Sequence, residues 1–162
     1  MTGIKRIVFL VNLAIFMVAI NYMIIQKERT ISNGTLVLMK LAPVDPRSLM
    51  QGDYMDLRYD ITRSVYGDSL SSRGYCVVTL DANNVAQFVR FQDHKTPLSE
   101  GEVIIKYFSP YWDVRIGAES FFFEEGTAKV YEQAQYGGLR VDGSGNSLLV
   151  SLHGENYKEL KP

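Results

Sequence analysis

From Ile7 to Ile25 the sequence is apolar except for Asn12, Asn21 and Tyr22. A run of roughly 19 such residues, at about 1.5 Å of helical rise each, matches the hydrocarbon thickness of a bilayer. That feature dictates the organisation expected of the chain. Residues 1–29 form a transmembrane signal anchor, and residues 30–162 form one folded domain beside the membrane. A cleaved secretory signal has a shorter apolar region followed by small residues at a cleavage site, whereas this run leads into Tyr22-Met23-Ile24-Ile25-Gln26-Lys27. Asn21 and Tyr22 fall near the outer interface, where polar tips reach headgroups. Asn12 lies deeper and on the opposite helix face, where its amide could bond a partner helix.

Orientation rests on less, because Lys5 and Arg6 before the run are balanced by Lys27 and Arg29 after it. A short basic N-terminal tail and a long folded C-terminal part favour an N-terminus in the cytoplasm. The expected location is therefore the cell inner (cytoplasmic) membrane, crossed once, with the C-terminal domain extracytoplasmic. Those four basic residues against Glu28 give the first thirty residues a charge of +3, so the whole-chain value of -1 leaves -4 on the remainder. An acidic domain without a Lys/Arg cluster has no means of neutralising phosphates, which excludes nucleic acid as a partner.

Beyond the anchor the pattern is that of short strands. Aromatic residues make up 12% of the chain, and the many Tyr and Phe side chains favour sheet. Thr35 to Leu41 reads as a first strand. Asp45-Pro46 followed by Gly52 predicts one or two helical turns over Pro46 to Met50. Met55, Leu57, Tyr59 and Ile61 alternate with Tyr54, Asp56, Arg58 and Asp60, the period of a half-buried strand. Thr62 to Gly74 reads as a loop. Tyr75 to Leu80 and Val85 to Phe91 flank Asp81-Ala82-Asn83-Asn84 as a hairpin, and Leu139 to Val141 and Ser147 to His153 flank Asp142 to Asn146 as a second. Glu102 to Phe108, Val114 to Ile116 and Ser120 to Phe123 are extended. Thr127 to Gln135 has helical composition, with Thr127 as cap and Gly137 as stop. Gly137-Gly138 and Gly143-x-Gly145 lack the strand-to-helix context of a phosphate cradle and read as turns. The sum is a mainly β domain: a small barrel or sandwich of about eight short strands with one short helix, preceded by the transmembrane helix. Cys76, the lone cysteine, reads as a buried, inert thiol in its strand.

The stretch Gly52-Asp53-Tyr54-Met55-Asp56-Leu57-Arg58-Tyr59 fits the pattern Gly-Asp-Tyr-x-x-Leu-x-Tyr at every fixed position. In this motif, and in Pro43-Val44-Asp45-Pro46-Arg47 and Gly117 to Gly126, the chain resembles the GDYXXLXY family of bacterial proteins, over about Thr35 to His153. The resemblance implies an N-terminal hydrophobic segment and an accessory role beside another membrane protein, and it supplies no activity.

Physical chemistry divides the motif. Gly52 ends a turn, Asp53 can cap local N–H groups, and Leu57 and Tyr59 fall on the core face of the strand. Tyr54 on the opposite face and Asp53 at the strand mouth are the candidate binding residues, joined by Arg115 and Glu119 from the segment Arg115 to Glu125. The adjacent Glu124 and Glu125 would point to opposite faces and make a poor acid/base pair. A second possible surface is the aromatic set Tyr107, Phe108, Tyr111 and Trp112, which either packs in the core or touches membrane or a carbohydrate-like ligand.

These residues favour a membrane-anchored accessory or binding module of the cell envelope, partnering another membrane protein. The alternative is a membrane-anchored hydrolase resembling signal peptidase, with Ser48 as nucleophile and Lys95 or Lys106 as base. Against it, Leu49-Met50 stands where a Met-x-Pro pattern belongs, and neither His94 nor His153 sits in a nucleophile elbow. His94, His153 and Cys76 have no ligand spacing, so no metal and no cofactor is expected.

Overall fold

The computed structural model describes residues 3–42, 54–63, 70–110 and 113–162. The apolar run lies within one continuous helix, α1 (Gly3–Asn33), long and apolar enough to cross a membrane by length and composition. Its apolar side chains are exposed, Ile7, Phe9, Ile15 and Phe16 among them. Asn12 and Asn21 each donate their side-chain amide to the carbonyl four residues back, Val8 at 2.9 Å and Met17 at 2.8 Å. In hydrocarbon such internal bonds satisfy donors that no water can reach.

The helix passes into the domain without a linker. Thr30 is buried, and its hydroxyl lies 3.3 Å from Asp142 Oδ2. Gly34 follows as the break. A Cβ there would strike the Thr30 carbonyl and come within 3.1 Å of the Val141 backbone, so only glycine allows this approach. Arg140 seals the junction by donating to the Gly34 carbonyl at 3.0 Å.

Among the described residues eight strands follow in three antiparallel sheets. β1 (Thr35–Lys40), β7 (Tyr136–Val141) and β8 (Ser147–His153) pair in the order β1-β7-β8. β3 (Arg73–Leu80), β4 (Ala86–Gln92) and β5 (Glu102–Phe108) pair as β4-β3-β5. β2 (Tyr54–Asp56) and β6 (Ser120–Phe122) form a two-stranded ribbon. Two four-residue helices, α2 (Asp60–Arg63) and α3 (Ala128–Tyr131), complete the described elements. The domain is mainly β, as the strand count implied, and among the described residues no barrel closes.

The main core lies between the two three-stranded sheets. Val37 and Met39 of β1 and Leu139 and Val141 of β7 meet Cys76 and Val78 of β3 and Ile105 and Tyr107 of β5. The sheets also touch at their margins. Leu38 pairs with Val85, and the Lys106 amide donates to the Gly145 carbonyl at 2.8 Å. Cys76 is the inert core thiol expected of it, with burial pushing its pKa up to about 12. A smaller core of Met55, Leu57, Tyr131 and Leu152 sits beneath the ribbon.

Both hairpins form, and they share a device. Asp81 Oδ1 accepts from the amides of Asn83 and Val85, and Asp142 Oδ1 accepts from those of Ser144 and Asn146. Each carboxylate organises its turn, and Asn84 and Gly145 take the left-handed position that follows.

Other expectations need correction. The alternating strand ends at Asp56, after which Leu57 donates to the Glu119 carbonyl, Arg58 accepts from Ala42, and α2 begins at Asp60. The extended Val114–Ile116 segment reduces to a single bridge between Arg115 and Phe108. The helix expected over Thr127 to Gln135 stops at Tyr131, because Gln135 is drawn into pairing with His153 and Leu41. Thr127 makes no cap bond; its hydroxyl donates to the Glu124 carbonyl instead. Gly137 and Gly138 are no turn but the middle of β7. A Cβ on Gly137 would lie 3.0 Å from the Tyr59 ring, and one on Gly138 would fall on Ser151 Oγ and 2.8 Å from His153 Nε2. The helical turns expected over Pro46 to Met50 lie outside the described residues.

Candidate functional site

The motif enters the described structure at Tyr54, and the ribbon shows how its residues divide. Cross-strand pairs run Tyr54 to Phe122, Met55 to Phe121 and Asp56 to Ser120. Successive side chains alternate between faces. Met55 therefore turns inward, where Phe121 and Phe123 pack with Tyr131. Tyr54 and Phe122 turn outward together, with ring centroids 5.8 Å apart. Phe122 is 75% exposed.

Leu57 and Tyr59 belong to the interior. Both are almost fully buried, and both are tied to the turn that precedes β6. The Leu57 amide donates to the Glu119 carbonyl at 2.6 Å, and the Tyr59 hydroxyl donates to the Ala118 carbonyl at 2.5 Å. Burial, with the negative field of Glu119 adding to it, raises the Tyr59 pKa far above its ordinary value. The hydroxyl is thus a fixed donor and no acid. The Leu-x-Tyr half of the motif and the Gly117-Ala118-Glu119 stretch are one structural unit.

The other candidates fall into two groups. Arg115 is exposed and forms an ion pair with Asp113 at 2.8 Å. That hydrogen bond, with the fields of Asp113, Glu119 and Asp56, makes its guanidinium hold its proton more tightly than usual. The cation therefore stands in the field of three carboxylates. Glu119 is partly occupied, because its Oε1 accepts from the amides of Ile116 (2.6 Å) and Gly117 (3.1 Å). Gly117 holds a φ of +76° in that turn. Asp53 and Gly52 lie outside the described residues.

Phe122 and Asp56 are the members of this surface that sequence reasoning passed over. A signal existed for Phe122. Because Ser120 to Phe123 reads as extended, the two-residue period of a strand puts Phe122 on the face opposite Phe121 and Phe123.

The remaining motifs are placed as follows. Ser48 lies outside the described residues, and the Lys106 ammonium donates to Asn146 Oδ1 at 2.8 Å. Ser151 and His153 are both buried and 2.9 Å apart, but the other ring nitrogen of His153 faces the Tyr157 carbonyl at 2.9 Å, where a triad requires a carboxylate. This pair braces β8 against Gly138. Of the aromatic set, Tyr107 is buried in the core, Phe108 is half-exposed beneath the Arg73 guanidinium at 5.5 Å, and Tyr111 and Trp112 lie outside the described residues. Among the described residues no group of three or more His, Cys, Asp or Glu side chains could hold a metal ion.

No curated protein and no solved structure matches the chain. The family model of the GDYXXLXY protein matches residues 16–152, from the middle of α1 to the end of β8. With the motif intact and that match covering most of its length, the chain belongs to the GDYXXLXY family.

Proposed function

We propose that the chain is a single-pass accessory module of a bacterial cell envelope, which binds a segment of another membrane protein through the outward face of the β2–β6 ribbon. α1 supplies the anchor in the cytoplasmic membrane, the N-terminus is cytoplasmic, and residues 30–162 form the extracytoplasmic domain. The observation that carries this reading is the exposure of Phe122 beside the motif tyrosine Tyr54, on the face turned away from the core. A large apolar ring left open to water gains about 25 cal/mol for each Å² that a partner covers. Among the described residues of the ribbon and the segments that adjoin it, the carboxylates of Asp56, Asp113 and Glu119 outnumber the cations of Arg58 and Arg115. The complementary segment therefore presents an aromatic or aliphatic side chain flanked by Lys or Arg.

A photoreactive phenylalanine analogue at position 122 tests the surface. Irradiation of native membranes is expected to give one discrete adduct, which is absent when the probe stands at Leu98, another exposed apolar position, and lost on adding Arg115→Glu. Equal labelling from both positions, or none from 122, rejects the surface. Orientation is tested separately. Alkaline phosphatase fused after Pro162 is expected to be active and β-galactosidase inactive, and the reverse pair overturns the topology.

A further inference from the structure

A cleft of about 220 Å³ lies between α1 and the β7–β8 hairpin. The helix contributes Tyr22, Met23, Gln26, Lys27 and Thr30, and the hairpin contributes Asn146 and Leu148. The helical residues are spaced at three, four and five, so they form one face, and they cover about 12 Å of helix length. That length begins in the last turn of the apolar run and ends where Thr30 meets the domain. On the anchored reading proposed above, the cleft therefore stands at headgroup depth, with its lower end open to the bilayer at the exposed Tyr22 and Met23.

The lining is mixed. Met23 and Leu148 are apolar, whereas Gln26, Lys27 and Asn146 offer an amide, an ammonium and a second amide. Lys106 does not line the cleft, but its ammonium is held 2.8 Å from the oxygen of Asn146, which does. The carboxylate next to it, Asp142, is a negative charge set against these cations. Desolvation acts to raise its pKa, but the bonds from the Asn146 side chain, the Ser144 and Asn146 amides and Thr30 outweigh this, so the group is ionised and internally satisfied. Asn146 is fixed from both ends, because its amide nitrogen donates to Asp142 at 2.8 Å while its oxygen accepts from Lys106.

We infer that this cleft binds one anionic phospholipid, with the phosphate between Lys27 and Lys106 and an acyl chain leaving past Met23 and Leu148. Two ammonium groups against the one carboxylate of Asp142 leave a positive balance that selects an anionic head at a membrane surface, and the apolar Met23 and Leu148 distinguish a lipid from a free phosphate. The site rests on the anchored reading, but it is distinct from the β2–β6 surface.

The test is native mass spectrometry of the full chain released from detergent, titrated with phosphatidylglycerol, phosphatidylcholine or inorganic phosphate. The expected result is a one-to-one phosphatidylglycerol adduct, weakened about tenfold or more by Lys27→Gln with Lys106→Gln. Leu148→Trp, which fills the cleft and leaves both lysines in place, is expected to remove the same adduct. Equal binding of phosphatidylcholine, an adduct unaffected by either variant, or inorganic phosphate competing away the lipid at equal concentration overturns the proposal. Carbonate extraction of the same membranes separates the two readings. A chain that resists extraction but shows no lipid preference refutes the cleft alone, whereas an extracted chain refutes the anchor and the cleft with it.

Discussion

Replacing Leu57 by alanine probes the interior half of the motif. The side chain is 2% exposed and lies in the small core with Met55, Tyr131 and Leu152. Leu→Ala deletes three carbons, and at about 0.8 kcal/mol per methylene the lost transfer energy is about 2.4 kcal/mol. Residual cavity adds to this, within the range of about 2 to 5 kcal/mol measured for such changes. Here the addition is small, because Leu41, Phe121 and Leu160 are only partly buried around the cluster and can move inward. About 3 kcal/mol is expected, which for a domain of this size lowers Tm by about 10 °C. Differential scanning calorimetry of the full chain in detergent reads this directly. A shift smaller than about 2 °C would mean that Leu57 is not a core residue, and the division of the motif would fail with it.

Gly138→Ala forces a Cβ onto Ser151 Oγ and toward His153 Nε2. It is expected to cost about 1–3 kcal/mol, as overpacking does, and an unchanged Tm would contradict the close approach in β7. Arg90, first through its side-chain hydrogen bonds and then with help from the Ser99 amide, holds the Glu102 carboxyl down at about 2. The folded value lies below the ordinary unfolded value of about 4.3, so the stabilisation is complete above that pH and is lost as pH falls toward about 2. Tm of the wild type should therefore fall more steeply between those values than Tm of Glu102→Gln, and parallel curves would refute the pair's contribution.

What was legible in the sequence was whatever local chemistry decides. Asp81 and Asp142 organise their turns through amides two and four residues on, so both hairpins could be read from the chain alone. The apolar run ending in Gln26-Lys27 defined α1 for the same reason. The alternation from Met55 to Tyr59 reported burial correctly but not pairing. The chain stays buried at Leu57 and Tyr59 while its hydrogen-bond partners change from β6 to the Glu119 carbonyl and the end of β1. Gly137 and Gly138 carried the composition of a turn, and their real reason, the Tyr59 ring and the Ser151–His153 pair pressing on β7, comes from segments far away in sequence. The helix after Thr127 was overestimated because Gln135 gains two tertiary partners, His153 and Leu41, that a longer helix would forfeit. At the candidate site, the outward face of Tyr54 was legible from the alternation. Glu119 was singled out for its charge, whereas its backbone and one carboxylate oxygen are committed to the turn.

The central claim is that the motif has an interior half that folds the domain and an outward half that meets a partner. Phe122→Ser tests it most directly when melting and crosslinking are measured on the same preparation, with the photoreactive residue moved to position 54. The account predicts a Tm within about 2 °C of the parent, since the ring is already in water and surface changes usually cost no more than about 0.5 kcal/mol, together with loss of the membrane-protein adduct. Full retention of the adduct, or a drop in Tm as large as that of Leu57→Ala, would contradict it.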